Sequence, residues 1–426
     1  SVGLEDRSNA GHMNARNESV RNKMKRATAT KYKGVDAALQ YIVKPFGVWQ
    51  VLLTCFCTLS LSSMEMLSIF GIGDPLVRCQ MEPQWEERLV QLNYSFEQAS
   101  HFIQGDKGSQ CERLANFSDS ANSSGYEACP LGYVLRPLLT QMPETLTEEF
   151  NLVCDRKWIQ TIVFTSFMIG MVLGFPTGGA VADAYGRRMT FIVTSVLVSL
   201  VTASLAFAPY ISVFIGLYCA LGFLDAIKVT LIFLIVFELT TARFRPLASF
   251  LIVVHMYFIN RSLAILLAYV TMNWRYLCGA IAGVTCTAGL AALLLPESPR
   301  WLISQHRYQL AVKMLRRSFR FNHFGRRPNQ GQQTMLEEFA SVYAAESKPP
   351  RQPFSLLFQD KRLLRITVLG SLIFMAHIVV YFGILMYTKE VQYSVFLATF
   401  IQAASCIPGT TLAMALYSHF RSVHSA

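Results

Sequence analysis

In the stretch GGAVADAYGRRMT (Gly178–Thr190), Asp183, Arg187 and Arg188 follow a long run of nearly uncharged residues. A carboxylate and two guanidiniums at that spacing can make charge-assisted, bidentate bonds with carboxylates on neighbouring segments. Glu238 and Arg245, and then Glu297 and Arg300, supply further opposite charges at the ends of other apolar runs. A second group lies inside such runs: Glu65, Asp225, Lys228, His255, Arg261 and His377. Ionisable groups in hydrocarbon are costly, so each marks either a function or a partner. Asp225 and Lys228, three apart on a helix, are spaced to neutralise each other. Arg261 has no partner near it in sequence, so it either faces a cavity and favours an anion or pairs with Glu65. None of these sets is catalytic. No nucleophile–base set, nucleotide loop, CxxC or HExxH is present, and we expect no enzyme, no metal and no cofactor.

The elements that must position these charges follow from composition. Of 426 residues 52% are hydrophobic and 15% charged, against about 25% charged in an ordinary soluble chain. Apolar runs long enough to cross a hydrocarbon core of ~30 Å recur. We expect eight spans, at 48–70, 158–180, 189–208, 210–237, 247–270, 275–295, 366–388 and 393–417. The net charge of +11 is gathered between them, which fits the basic excess of cytoplasmic loops and excludes nucleic acid as a partner. Residues 1–45 hold nine Lys/Arg against four acids, and 296–365 hold thirteen against five. With alternating spans these segments fall on one side, so the N-terminus is expected in the cytoplasm and the loop 71–157 outside. That loop carries Cys79, Cys111, Cys129 and Cys154 and sequons at Asn93, Asn116 and Asn122, both suited to the secretory side. Four cysteines allow three pairings, which the sequence leaves open. The other six cysteines are most simply packed thiols. Within 296–365, PRWLISQHRYQLAVKMLRRSF reads as an amphipathic helix with Leu302, Leu310, Met314 and Leu315 on its apolar side, lying against the ends of the spans near anionic headgroups; SKPPRQPF reads as a linker.

The ordered motifs carry a resemblance. Gly179-x3-Asp183-x2-Gly186-Arg187-Arg188 resembles the loop between helices two and three of the major facilitator superfamily. There, Gly allows a tight turn, the carboxylate can satisfy a helix N-terminus and the arginines grip neighbouring carboxylates. Ala184 stands where a base is usual. PESPRWLIS (Pro296–Ser304) is similar to a motif shared by sugar porters and the organic cation/anion/zwitterion transporters. EEFNLVCDRKW (Glu148–Trp158), KPFGVWQ (Lys44–Gln50), AYVTMNWRYL, the Glu238/Arg245 pair and VVYFGIL (Val379–Leu385) resemble the latter, the solute carrier family 22-like group.

The resemblance implies an all-α polytopic membrane protein with a two-bundle fold. Its parts are a basic cytoplasmic segment (1–45), a six-helix bundle (46–295), an amphipathic cytoplasmic linker (296–365) and the first two helices of a second bundle (366–426). It implies a multi-pass protein of the plasma membrane that moves a small organic ion (cation, zwitterion or anion) by alternating access. Gly179, Asp183, Gly186, Arg187, Arg188, Glu238, Arg245, Glu297 and Arg300 would form a cytoplasmic gate, and Phe233, Arg261 and Tyr381 would contact substrate. Cys406 occupies a position where cation-handling relatives usually carry Glu, which weakens an expectation of cation selectivity. The family pattern continues beyond helix eight, so we expect this chain to be an incomplete form that does not transport alone. Its expected partners are the bilayer and the small organic ion, with the oligomeric state open. Two rival readings are a sugar-porter-like carrier and a non-transporting membrane protein whose external loop binds a partner.

Overall fold

The computed structural model describes residues 39, 46–105, 110–114, 125–137, 142–291, 293, 296–345, 356–387 and 394–425. The first apolar run is not one helix. Helix α1 (Val48–Leu59) stops at Ser60, and after a 3-10 turn at Met64–Met66 a short α2 (Leu67–Phe70) completes the stretch. Serine hydroxyls compete for helix hydrogen bonds: Ser60 Oγ donates to the Cys57 carbonyl at 2.6 Å, and Ser63 adopts φ +49 in the left-handed region. The unbroken span expected over 48–70 is thus split at Ser60–Ser63.

A lobe follows, made of β1 (Leu76–Cys79), α3 (Pro83–Gln91), α4 (Phe96–Gln104), β2 (Glu112–Leu114), β3 (Tyr126–Ala128), β4 (Tyr133–Arg136) and α5 (Leu146–Glu149). β1 pairs antiparallel with β4, Cys79 opposite Tyr133, and β2 with β3, Glu112 opposite Ala128. Too small to build a large core, the lobe closes Cys79, Met81, Leu89, Ala99 and Ile103 together and relies on two disulfides. Of the three possible pairings the structure has Cys79–Cys129 and Cys111–Cys154. The other six cysteines are free thiols, of which Cys286 is exposed.

The long apolar runs become α6 (Trp158–Tyr185), α7 (Arg187–Leu205), α8 (Ile211–Glu238), α9 (Arg245–Val254) continued through a π turn (His255–Asn260) into α10 (Arg261–Thr271), and α11 (Trp274–Ala291). Then come α12 (Pro299–Ser304), α13 (Tyr308–Asn322), α14 (Gln330–Ala345), α15 (Leu356–Gln359), α16 (Lys361–Tyr387) and α17 (Val395–Ser425). Among the described residues, 7 helical stretches are long and apolar enough to cross a membrane. The expected span at 275–295 is not one of them: its described helix, α11, has 18 residues diluted by Arg275 and several Gly and Thr.

Glycine sets the closest contact. Gly170, Gly174 and Gly178 line one side of α6. A Cβ on Gly170 would lie 2.0 Å from the Cys219 carbonyl oxygen, and one on Gly174 2.3 Å from that of Phe223, both on α8. Gly222 returns the contact, its Cβ position 2.2 Å from the Phe167 carbonyl oxygen. In lipid there is little hydrophobic drive between helices, and such backbone approach supplies the packing instead. The expected amphipathic helix forms as two, α12 and α13, lying against helix ends. Leu302 and Leu315 are buried and Met314 partly so, as expected, while Leu310 is 47% exposed. The buried side is completed by Ala311, Val312 and Phe319, and by Asn322, whose Oδ1 accepts from the Trp49 backbone N–H at 3.0 Å and whose Nδ2 donates to Gln50 Oε1 at 3.1 Å.

Candidate functional site

At the end of α6, Gly186 turns the chain at φ +95, a conformation that favours glycine, and α7 starts at the next residue. The Arg187 guanidinium is thereby buried. Its Nη2 donates to Glu238 Oε1 at 2.9 Å and lies 2.8 Å from Asp183 Oδ1; Nε donates to Glu238 Oε2 at 3.1 Å, and Nη1 to the Ala182 carbonyl at 3.2 Å. Glu297 Oε1 accepts from the backbone N–H groups of Arg187 (2.9 Å), Arg188 (3.1 Å) and Ser298 (3.1 Å). The carboxylate that satisfies the N-terminus of α7 is therefore Glu297, whereas Asp183, expected in that role, pairs with Arg187. Arg188 Nη2 reaches the Leu293 carbonyl at 2.8 Å, Arg300 Nε the Glu238 carbonyl at 3.2 Å, and Trp301 Nε1 the Asp183 carbonyl at 3.1 Å.

Two members of the expected set stand apart. Gly179 lies within α6 with nothing within 4 Å of its Cβ position, and of the two motif glycines it is Gly186 that makes the turn. Arg245 opens α9; among the described residues it forms no ion pair, and its Nε is buried without an acceptor.

A cavity of about 800 Å³ lies between the break after α1, α8, the π turn, α16 and α17. Arg261 Nη2 bonds Glu65 Oε1 at 3.0 Å, and the Tyr381 hydroxyl donates to the same oxygen at 3.2 Å. The guanidinium also sits over two aromatic rings, 5.2 Å from the centroid of Tyr381 and 5.7 Å from that of Tyr257. Of the two expectations for Arg261, pairing with Glu65 is the one the structure has. The Arg261 side chain is 3% exposed and that of Glu65 27%, so the carboxylate is the charge nearer the open space. Phe233, His377 and Cys406 line the same cavity.

Asp225 and Lys228 do not form an ion pair with each other among the described residues. Asp225 Oδ2 accepts from the Ser62 hydroxyl, and Lys228 Nζ donates to the Ser60 carbonyl. Both charges of α8 therefore bond the break in the first span. Nearby, Thr58 Oγ1 meets His255 Nδ1 at 2.6 Å. The serines of the break and Tyr257 were not singled out from sequence. Tyr257 stands one helical turn before Arg261, a spacing that could have flagged it.

At the opposite end, Glu149 and the turn after α10 meet. Trp274 Nε1 donates to Glu149 Oε2 at 2.8 Å, and Arg275 Nε to the same oxygen at 3.0 Å; Arg275 Nη2 also donates to the Ala208 carbonyl at 3.0 Å. The Arg275 bonds hold the Glu149 carboxyl below its ordinary value, with Trp274 helping and burial opposing. Arg78 does the same for Glu86 within the lobe. Asn93 is exposed at φ +54; Asn116 and Asn122 lie outside the described residues.

Residues 133–422 match the Major Facilitator Superfamily model, and the chain belongs to that superfamily. Within it the chain is similar to carriers of organic ions. It is 26% identical to Organic cation/carnitine transporter 2 of Homo sapiens, over 65% of this chain and 48% of the relative. It is 24% identical to Organic anion transporter 3 of Oryctolagus cuniculus, over 85% of this chain and 65% of the relative. The chain thus spans about half the length of the first and under two thirds of the second. A solved structure of the proton:xylose symporter XylE, bound to 6-bromo-6-deoxy-D-glucose, shares the fold with a TM-score of 0.51 and 18% identity, covering 63% of this chain and 62% of that one. These relatives are transporters rather than enzymes, and the resemblance to organic cation/anion transporters carried by the motifs holds.

Proposed function

We propose that this chain serves the passage of a small organic ion across the plasma membrane, by alternating access around the Glu65–Arg261 cavity. The observation that carries this reading is a cavity of about 800 Å³ that places one ion pair between aromatic walls. Because Glu65 is the more exposed partner, the ligand presents a cationic or zwitterionic group to it. Tyr257, Tyr381 and Phe233 offer π faces to that group. The cluster of Asp183, Arg187, Glu238, Glu297 and Arg300 acts as the cytoplasmic gate, with the disulfide-linked lobe outside. The basic-residue distribution and the sequons support that orientation.

The test is ligand-induced thermal stabilisation of the purified chain in detergent. Tetraethylammonium and carnitine should raise the melting temperature saturably, since a ligand bound only by the folded state stabilises it by mass action. Glu65→Gln should abolish that rise. Stabilisation by para-aminohippurate alone, unchanged in Glu65→Gln, would overturn the charge assignment; no response to any member of the panel would overturn the site.

A further inference from the structure

The break in the first span and the two charges of α8 make one assembly that solute binding does not explain. Ser60 caps α1, so its carbonyl stands at the negative end of a half-helix. In discontinuous membrane helices such carbonyls, with a nearby carboxylate, coordinate monovalent cations. Here the oxygen donors are the Ser60 carbonyl, the Ser62 hydroxyl and the Asp225 carboxylate. The Lys228 ammonium reaches the first of these, while the Ser62 hydroxyl and the Asp225 carboxylate bond each other beside it. Lys228 is 0% exposed, bonds the Ser60 carbonyl and lies 5.8 Å over the ring centroid of Phe191. Asp225 is 7% exposed and lines the cavity; Ser62 engages its Oδ2, while its Oδ1 is buried with no hydrogen-bond partner among the described residues. A lysine kept only to neutralise Asp225 would bond the carboxylate three residues before it, yet this one reaches across to the end of another helix.

We propose that the break at Ser60–Ser63 is a monovalent-cation site already filled by the chain's own ammonium. Lys228 stands where a Na⁺ would sit, Ser60 supplies the carbonyl ligand, and Asp225 supplies the counter-charge. The site needs no free cation while Lys228 is in place, and it gains a requirement for one when the ammonium is removed. This assignment is independent of which solute enters the cavity.

The experiment is thermal unfolding of the purified full chain in detergent, in NaCl, KCl and choline chloride at equal ionic strength. The wild type should melt at one temperature in all three. Lys228→Ala should melt lower in choline and be raised saturably, by a few degrees, in Na⁺ or K⁺. Asp225→Asn combined with Lys228→Ala should lose that response. Identical melting of Lys228→Ala in all three salts would overturn the proposal, as would a wild type that responds to Na⁺ as strongly as the variant. Should Lys228→Ala fail to fold, the counter-charge is tested from the other side. Asp225→Asn alone strands a buried ammonium and should reduce the yield of folded protein several-fold. Asp225→Asn with Lys228→Met should recover it. An Asp225→Asn variant that folds as well as the wild type would overturn the assignment.

Discussion

Gly186 and Gly179 belong to one motif and bear opposite constraints. A side chain at Gly186 would have to adopt φ +95 and place its Cβ 2.7 Å from Glu297 Oε2. Gly186→Ala should therefore destabilise the protein by about 1–2 kcal/mol from backbone conformation alone, seen as a lower melting temperature. Gly179→Ala, in open space within a helix, should be neutral or stabilising by about 0.5–1 kcal/mol; equal losses at both sites would contradict the geometry. For Arg187 and Glu238, removing one partner breaks a buried pair, at a cost of up to about 3–5 kcal/mol, less for loss of Glu238 because Asp183 stays on Arg187. Arg187→Ala and Glu238→Ala should each lower the melting temperature, and the double variant should be little worse than either, because bonded residues are not additive. Additive losses would show two independent charges. Glu149 adds a pH dependence. Its carboxyl is lowered by Arg275 from the reference value of 4.5, so its stabilising contribution is present above that value and fades as pH falls through its folded value. Acid titration of the melting temperature should show a component that Glu149→Gln removes and Glu86→Gln, at the separate Arg78 pair, does not.

The helices repeat the contrast between what pattern records and what packing decides. Gly174→Ala would drive a methyl against the Phe223 backbone of α8 and should sharply reduce the amount of folded protein. Gly216→Ala, on α8 with nothing near its Cβ position, should leave that amount unchanged. Measuring monodisperse protein by size-exclusion after detergent extraction separates the two. Most helix positions could be read from sequence, because long apolar runs bounded by Arg, Glu or Gly leave little choice of structure in lipid. The split of the first span could not be read that way: hydropathy averages across Ser60–Ser63, and what holds the break lies on α8, far along the chain. For the same reason the hydrogen-bond partners of Asp225 and Lys228 were not legible, although each still feels the other's charge. Helical spacing suggests that they face each other, whereas tertiary contacts draw both to another helix. The π turn that precedes Arg261 has no signature in apolar periodicity. The charged cluster around Arg187 was more legible, since charges at the ends of apolar runs stand out. Even so, spacing alone did not tell which carboxylate would cap α7, nor that Arg245 would stand apart.

For the molecule as a whole, the pairing of Glu65 with Arg261 was one of two readings open from sequence, and only the fold could choose, since the two residues lie on separate elements. The proposed orientation makes a direct prediction. Asn93 is exposed on the lobe, so protein from eukaryotic cells should gain gel mobility on glycosidase treatment, and Asn93→Gln should remove part of that shift. No shift, with the lobe labelled only after permeabilisation, would invert the orientation.

The lobe is also fastened in a way that matters beyond its own stability. Cys111–Cys154 anchors it just ahead of α6, while Glu149 grips Trp274 and Arg275, and Arg275 in turn holds the Ala208 carbonyl beyond the end of α7. These attachments reach α6, α7 and α11, and none of them involves α16 or α17. The lobe is therefore a ready-made ruler. A dye on its exposed face, paired with another near Tyr387 at the end of α16, would test the proposed alternating access without touching the cavity: a rocking of the two helical groups should change the separation, and a fixed separation would contradict it.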